Sequence, residues 1–513
     1  MTIENAPHRS RRERSRGGPR SAPSGTLTPL PRLQNRWAPV EIFNAEQIER
    51  LIDAAFTLLE TGGIEILLKR ARDIYRQNGC VVVDETQMVR LPRDVVQNFI
   101  QHAPEKFVLR SRNRARDLHV GGNVVNFGPV NGAPNVSDLS RGRRYGDIEA
   151  FRDIIKLTHA LGILHWQGGV VVEPVDVPVP VRHLDMYKAH IEFSDIVWAG
   201  RGIGAVPTMD AIRMAAIEHQ CSIDDLVREP SLMVVTNVNS PRRVDEELLE
   251  GILTFAEHNQ CCVITPFTLM GAMAPVTLAG ALVQQTAEAL AVIALVQMVR
   301  KGCPCVLGGF TSNVDMRSGS PAFGTPEYVN ATLGGAQLAR RLKIPYRTSA
   351  VNASPAVDAQ STYETAFSLW ASIMSHSHLI NHAAGWLEGG LVASFEKIIV
   401  DAEMLRGWAE ILKPIDFTDD DIGLDAIGAV APGGHFFGSP HTLARYENAF
   451  HRPILSDWSN FENWRDAGAR DATQRAEGVW KRALESYVPP PLDDAVKAEL
   501  DEYVARRKAE IGS

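Results

Sequence analysis

The chain has 513 residues, 45% hydrophobic, 22% charged and 7% aromatic, which excludes disordered, collagen-like and small disulfide-scaffold proteins and leaves a globular one with a sizeable core. The formal charge is −8, yet residues 1–36 carry eight arginines against Glu4 and Glu13, so that arm is +6 and the rest of the chain −14. A body that acidic excludes a nucleic-acid groove, which needs clustered basic side chains to displace counterions.

The Arg/Ser/Pro/Gly-rich arm is expected to be disordered over residues 1–36. It has no apolar segment of the secretory kind, which argues against export. The six cysteines, Cys80, Cys221, Cys261, Cys262, Cys303 and Cys305, do not make a disulfide framework, so a reducing, cytoplasmic setting is expected.

The first ordered element carries full helix punctuation. Asn44 caps, Gln47 closes a capping box, and Phe43 with Ile48 forms a hydrophobic staple. Ile48, Leu51, Ile52, Ala55, Leu58 and Leu59 then keep one apolar face until Gly62 stops the helix. Further helix and hairpin pieces at 65–77, 81–83, 89–91 and 94–102 make residues 37–121 a small α+β flank.

From about residue 122, short apolar strands alternate with amphipathic helices. Strands are expected near 123–130, 163–172, 195–200, 232–237, 261–266, 304–310, 346–351 and 378–384. The uncharged run Cys261–Ala287 resembles a membrane span in length, but Pro266, Gly271, Pro275, Gly280 and the pair Gln284-Gln285 break it into a buried strand, a loop and a core helix. Eight strands with seven intervening helical stretches make this an α/β chain whose first-choice architecture is a (β/α)8 TIM barrel over residues 122–446. A doubly wound open sheet is the alternative, weakened because no G-x-G-x-x-G follows the first strand. Helical sequence at 476–487 and 493–511 makes residues 447–513 a C-terminal helical extension packed outside the barrel.

Function in such a barrel lies just past the C-terminal ends of the strands. Those junctions present Asn131, Glu173, Arg201, Asn237, Phe267, Phe310, Asn352, His382, Trp386 and Glu388, set among long glycine-rich loops that suit a wide mouth taking a large planar ligand or a partner's cofactor. His376, His378 and His382 spell H-x-H-x-x-x-H and Cys303-x-Cys305 puts two thiols together, but no second cluster completes a four-ligand set, so no tightly bound metal is predicted. A G-x-S-x-G elbow, H-E-x-x-H and a P-loop are all absent.

Four long segments, PFTLMGAMAPVTLAGALVQQTAEALA (266–291), GGFTSNVDMRSGSPAFGTPE (308–327), HAAGWLEGGLVASFEKIIVD (382–401) and APGGHFFGSPHTLARY (431–446), resemble the trimethylamine methyltransferase (MttB) superfamily, and the resemblance extends over most of residues 37–490. It implies a (β/α)8 barrel that passes a methyl group from a methylamine to the cobalt(I) of a corrinoid (cobalamin) held by a separate small carrier protein. A homo-oligomer is expected, with no membrane and no nucleic-acid partner.

Trimethylamine-specific members of that superfamily carry pyrrolysine shortly before a D-x-Q-x-x-Y-E stretch. Here the stretch is Asp358, Gln360, Tyr363 and Glu364, and the preceding residues 351–356 contain neither pyrrolysine nor lysine. The chain therefore resembles the non-pyrrolysine, glycine betaine methyltransferase-like branch, which implies a quaternary-amine substrate. Leaving-group chemistry agrees. A quaternary ammonium departs as a neutral amine without a covalent helper, so the protein needs only to position it. Aromatic faces do this at about 0.5–2 kcal/mol each.

On this reading Phe310, Trp386, Arg201, Asn352, Glu173, His435 and Phe436 bind substrate, and Glu388, Asp315 and His382 are the catalytic candidates. Gly308, Gly309, Gly324, Gly433 and Gly434 let the corrinoid approach closely, since a residue without Cβ leaves room for a flat macrocycle. Arg201, His382 and His435 are the donors for a carboxylate tail, with pairing of Arg201 to Glu173 inside the barrel as the alternative. Asp315 shaping a turn and the rim aromatics serving as packing are the corresponding structural alternatives. A metal-assisted barrel hydrolase and a non-catalytic ligand-binding barrel are the rival functions.

Overall fold

Seven strands run parallel and hydrogen-bonded in the ring order Trp198–Ala199, Leu232–Val238, Cys261–Pro266, Cys305–Gly308, Tyr346–Ser349, Leu379–Asn381, Val124–Phe127. The eighth position is residues 165–167. There His165 N–H donates to the Phe127 carbonyl at 2.8 Å, and Gln167 bridges Trp198 in parallel, which closes the barrel. The computed structural model describes residue 27 and residues 29–512.

A helix follows each strand: Ile148–Ala160, Arg182–Phe193, Ala205–Glu218, Glu246–Glu257, Leu278–Val299, Pro326–Leu342, Ala359–Met374 and Phe395–Ile411. The (β/α)8 barrel expected from the alternation is the fold.

Strand periodicity sorts the apolar side chains between two cores. Leu232, Val234, Val238, Cys262, Ile264, Cys305 and Leu307 face the helices, while Met233, Val235, Cys261, Val263, Val306 and Leu379 face the axis. Leu278–Val299 is long and apolar enough to cross a membrane. Its apolar surface is taken up by the protein instead, because the flank helices Ala45–Thr57, Lys69–Gln77 and Arg93–Ile100 pack on it from outside, as a helix apolar all round requires.

The flank begins with the expected capping box between Asn44 and Gln47. Its hairpin Phe107–Leu109 with Leu118–Val120 does not stand aside from the barrel. Leu109, Leu118 and Val120 join Trp166, Val197 and Leu379 in the inner core and plug the barrel's N-terminal end.

Two expected boundaries shift. Residues 1–26 of the predicted disordered arm lie outside the described residues, as does residue 28. From residue 29 the chain is docked: Leu33–Gln34 pairs antiparallel with Val124–Val125, and the buried Asn35 donates to the Ile373 carbonyl at 2.8 Å. At the other end, the last barrel helix stops at Ile411, and the stretch 414–450 is mostly exposed, with its hydrogen bonds among the described residues staying inside the stretch or, at Glu447, reaching only to Arg452. The barrel thus ends about 35 residues before the expected limit.

The C-terminal helices pack outside the barrel as expected, Ala472–Glu485 on Phe395–Ile411 and Asp494–Gly512 on Arg182–Phe193 and Ala205–Glu218. Asp210 fastens the last one, accepting from Tyr503 Oη at 2.6 Å and Arg507 Nε at 2.8 Å and meeting His183 Nε2 at 2.9 Å.

Candidate active site

Strand register builds the barrel interior in layers. Asn237 pairs with Thr265 and Gly308 pairs with Arg347. A Cβ on Gly308 would stand 2.1 Å from Thr265 Oγ1, so Thr265 and Gly308 are adjacent. Asn237, Thr265, Gly308 and Arg347 therefore share one inward-facing layer. Two residues further along their strands, toward the C-terminal mouth, come Phe267 and Phe310.

Phe310 anchors an aromatic cluster. Its ring centroid lies 5.1 Å from Phe267, 5.6 Å from Phe323, 5.7 Å from His382 and 6.3 Å from Trp386. Trp386 stands edge-on to both Phe310 and Phe323, the arrangement that ring quadrupoles favour. Phe310, Phe323, His382 and Trp386 are buried, and Phe267 is part-exposed at the open side.

Trp386 is tied from both ends to one residue. Its Nε1 donates to the Asn352 carbonyl at 3.2 Å, and Asn352 Nδ2 donates to the Trp386 carbonyl at 2.6 Å. The chain before it is held too, because Gly385 N–H donates to Asp401 Oδ2 at 2.9 Å, and Asp401 is paired with Lys397 in full burial.

His382 occupies the left-handed region at φ 56°, a strained place for a residue with a Cβ. Its ring lies 4.0 Å from Trp386, and Nδ1 is 3.0 Å from Ser349 Oγ. Burial, reinforced by the nearby Arg347 charge, holds its pKa well below the usual histidine range, so it is neutral at pH 7.

Arg347 lies beneath this cluster, its Cζ 5.3 Å from the Phe310 ring centroid. Burial lowers its pKa to about 10, which leaves it cationic at neutral pH. The mouth is open on the opposite side. Val235 faces inward yet is part-exposed, and Asn237 above it is exposed, with Glu173 and Arg201 at the rim.

The family described as trimethylamine methyltransferase (MTTB) matches residues 8–512. The chain belongs to that family and is a methyltransferase. It is 34% identical over 473 residues to the glycine betaine methyltransferase of Desulfitobacterium hafniense strain Y51, covering 92% of this chain and 98% of that protein. It is 28% identical to the trimethylamine methyltransferase MttB of Desulfitobacterium hafniense strain DSM 10664 / DCB-2, over 92% of this chain and 94% of that one. Among solved structures, the hydroxylamine MtmB complex aligns with a TM-score of 0.52 at 12% identity, over 92% of this chain and 90% of that chain, a likeness of fold.

In this methyltransferase the structure gathers four of the sequence-predicted residues, Phe310, His382, Trp386 and Asn352, into one site, with Asn352 gripping Trp386. Arg201 does not stand free for a ligand. Its Nη1 is 3.4 Å from Glu173 Oε1, and Glu173 also pairs with Arg182. Asp315 is exposed and caps a turn, accepting from the N–H groups of Arg317 and Ser318 at 3.2 Å and the Ser318 hydroxyl at 2.6 Å. Glu388 lies at φ 50° with its carboxylate 3.1 Å from Arg143 Nε.

The glycine readings need a different reason. Gly308 and Gly309 are buried, and side chains there would strike Thr265 and Tyr346, so these residues let strands and side chains pack rather than form an open landing surface. Gly324 is buried against Glu364. His435, Phe436, Gly433 and Gly434 lie in the exposed 414–450 stretch, apart from the aromatic cluster.

The histidine motif disperses. His376 meets the Trp37 carbonyl, His378 the Gly122 carbonyl and His382 the Ser349 hydroxyl. Cys261, Cys262 and Cys305 are buried core thiols, their pKa values pushed up. A cavity of about 400 Å³ lies at the barrel's other end, but its Arg110 and Arg114 are already paired with Asp117 and Glu229.

Sequence reasoning missed Arg347, Phe323 and the Lys397–Asp401 pair. Arg347 left a signal, a charged residue inside an otherwise uncharged strand. The i, i+4 pair on a helix reads as a surface feature until the helix is seen to be buried.

Proposed function

We propose that this methyltransferase moves a methyl group from a quaternary amine to the cobalt(I) of a corrinoid presented by a small carrier protein. The observation that carries the reading is the aromatic cluster of Phe267, Phe310, Phe323 and Trp386 at the barrel mouth, resting on a 351–356 segment with no lysine-type side chain. Such a site offers π faces to a fixed positive charge and no electrophilic group to which a neutral amine could add. The 34% identity to a glycine betaine methyltransferase supports the same substrate class.

The acceptor cobalt supplies the electron pair that takes the methyl carbon, while the C–N pair leaves with a neutral tertiary amine. The protein's own residues position the substrate. Asn352 and Asp401 hold Trp386, the buried cluster keeps water away from the reacting carbon, and neutral His382 adds no repulsion to a bound cation. Neither a proton relay nor a covalent intermediate on the protein is needed.

The proposal extends to a cytoplasmic homo-oligomer. Support comes from six free cysteines and from apolar side chains left exposed, namely Phe417, Phe437, Phe450 and Trp458 on 414–461 and the Tyr363, Phe367, Trp370 row on Ala359–Met374. Both surfaces suit burial against a second copy.

The deciding measurement is methylation of cob(I)alamin, followed by visible absorbance, over a panel of quaternary amines and trimethylamine. The reading requires transfer from at least one quaternary amine and none from trimethylamine. The converse pattern overturns it.

A further inference from the structure

Arg347 lies inside the barrel at 2% exposure, and no described residue gives it a hydrogen bond or a counter-charge. Its Nε and Nη1 are buried and partnerless. A cation taken out of water without a partner costs several kcal/mol, and buried donors are normally satisfied. Arg201, by contrast, already has Glu173.

The layer around Arg347 completes the argument. Thr265 Oγ1 is also buried without a partner, Gly308 places no side chain between Thr265 and Arg347, and Asn237 of the same layer is open to solvent. A ligand entering past Asn237 therefore meets a planar fork of N–H donors beside a free hydroxyl, which is the donor set a carboxylate takes. Charge at the mouth points the same way. The guanidiniums of Arg182 and Arg201 share the single carboxylate of Glu173 and Arg347 adds a third positive charge deeper in the barrel, a surplus that repels a bare quaternary ammonium and admits one carrying its own negative charge.

We propose that Arg347 is the substrate-binding residue that anchors the carboxylate of a betaine, and so selects zwitterions over simple quaternary cations. The inference rests on the quaternary-amine reading above. The separation fits, because Arg347 Cζ and the Phe310 ring are 5.3 Å apart, a span that an ammonium and a carboxylate joined by one methylene can bridge.

The test is calorimetric binding of glycine betaine, its neutral amide and tetramethylammonium to the full-length wild type, Arg347→Gln and Arg347→Lys, with melting curves for each. In the wild type the amide and tetramethylammonium should bind at least tenfold more weakly than glycine betaine. Arg347→Gln should lose that preference, weakening glycine betaine tenfold or more while leaving tetramethylammonium unchanged or tighter. Arg347→Lys, which keeps the charge but not the fork, should fall between, and it decides the matter if the Gln variant does not fold. Equal weakening of all three ligands, or glycine betaine binding unmoved by either substitution, overturns the assignment. So does a wild type that demethylates tetramethylammonium but not betaine, an outcome that leaves the methyltransferase reading standing. Transfer from no quaternary amine at all defeats the reading beneath it instead.

Discussion

Asp401 accepts the backbone N–H of Gly385 at 2.9 Å, one residue before Trp386, while its other oxygen is paired with Lys397 in full burial. The pair is thus a support for the aromatic cluster, placed on the helix behind it. Removing Lys397 alone leaves a buried carboxylate uncompensated, a change that typically costs about 3–5 kcal/mol. Lys397→Met should lower the urea midpoint by that measure, and the double variant Lys397→Met/Asp401→Leu should recover most of it while keeping reduced methyl transfer, since Gly385 has still lost its acceptor.

The aromatic cluster predicts a graded series at one position. Phe310→Tyr keeps a π face and should change quaternary-amine affinity little. Phe310→Leu keeps apolar bulk without one and should weaken binding by about 0.5–2 kcal/mol, roughly two- to thirtyfold. Equal affinities of the Tyr and Leu variants would show that the ring serves as packing only.

Several buried histidines, His190 and His382 among them, set a pH dependence of stability. Burial pushes the pKa of His190 down to about 4 and that of His382 well below the usual range. Unfolded, each takes a proton near pH 6.5. Their folded pKa values are depressed, so the stability they allow is complete above pH 6.5 and declines as pH falls toward 4, by about 2 kcal/mol for His190 at pH 5. Urea unfolding at pH 7 and pH 5 should show this loss, and His190→Gln should reduce it by about that amount.

The docking of residues 29–36 predicts where a truncation begins to matter. Deleting residues 1–26 should leave the melting temperature and methyl transfer unchanged. Deleting 1–36 removes the buried Leu33 and Asn35 and should cost about 2–4 kcal/mol, from the lost apolar burial and one hydrogen bond. Differential scanning calorimetry of the two truncations separates them.

Periodicity and punctuation are local properties, and what they determine was legible in the chain alone. The eight strand positions, the capping box at Asn44 and Gln47, the core character of Leu278–Val299 and the outward packing of the C-terminal helices follow from side-chain spacing. Because a barrel puts its strand ends at one mouth, the same spacing brings Phe310, His382, Asn352 and Trp386 together there. Which rim residues are already spoken for depends on partners far away in sequence. Glu173 takes up Arg201 and Arg182, Arg143 takes up Glu388, and Asp315 turns back on its own loop. Only tertiary structure decided these pairings, as it decided that His435 and Phe436 lie on a stretch apart from the barrel. It also decided that Arg347, inside the barrel, is left without a counter-charge among the described residues, since being unpaired is a statement about every neighbour in space and no single segment of sequence contains them all.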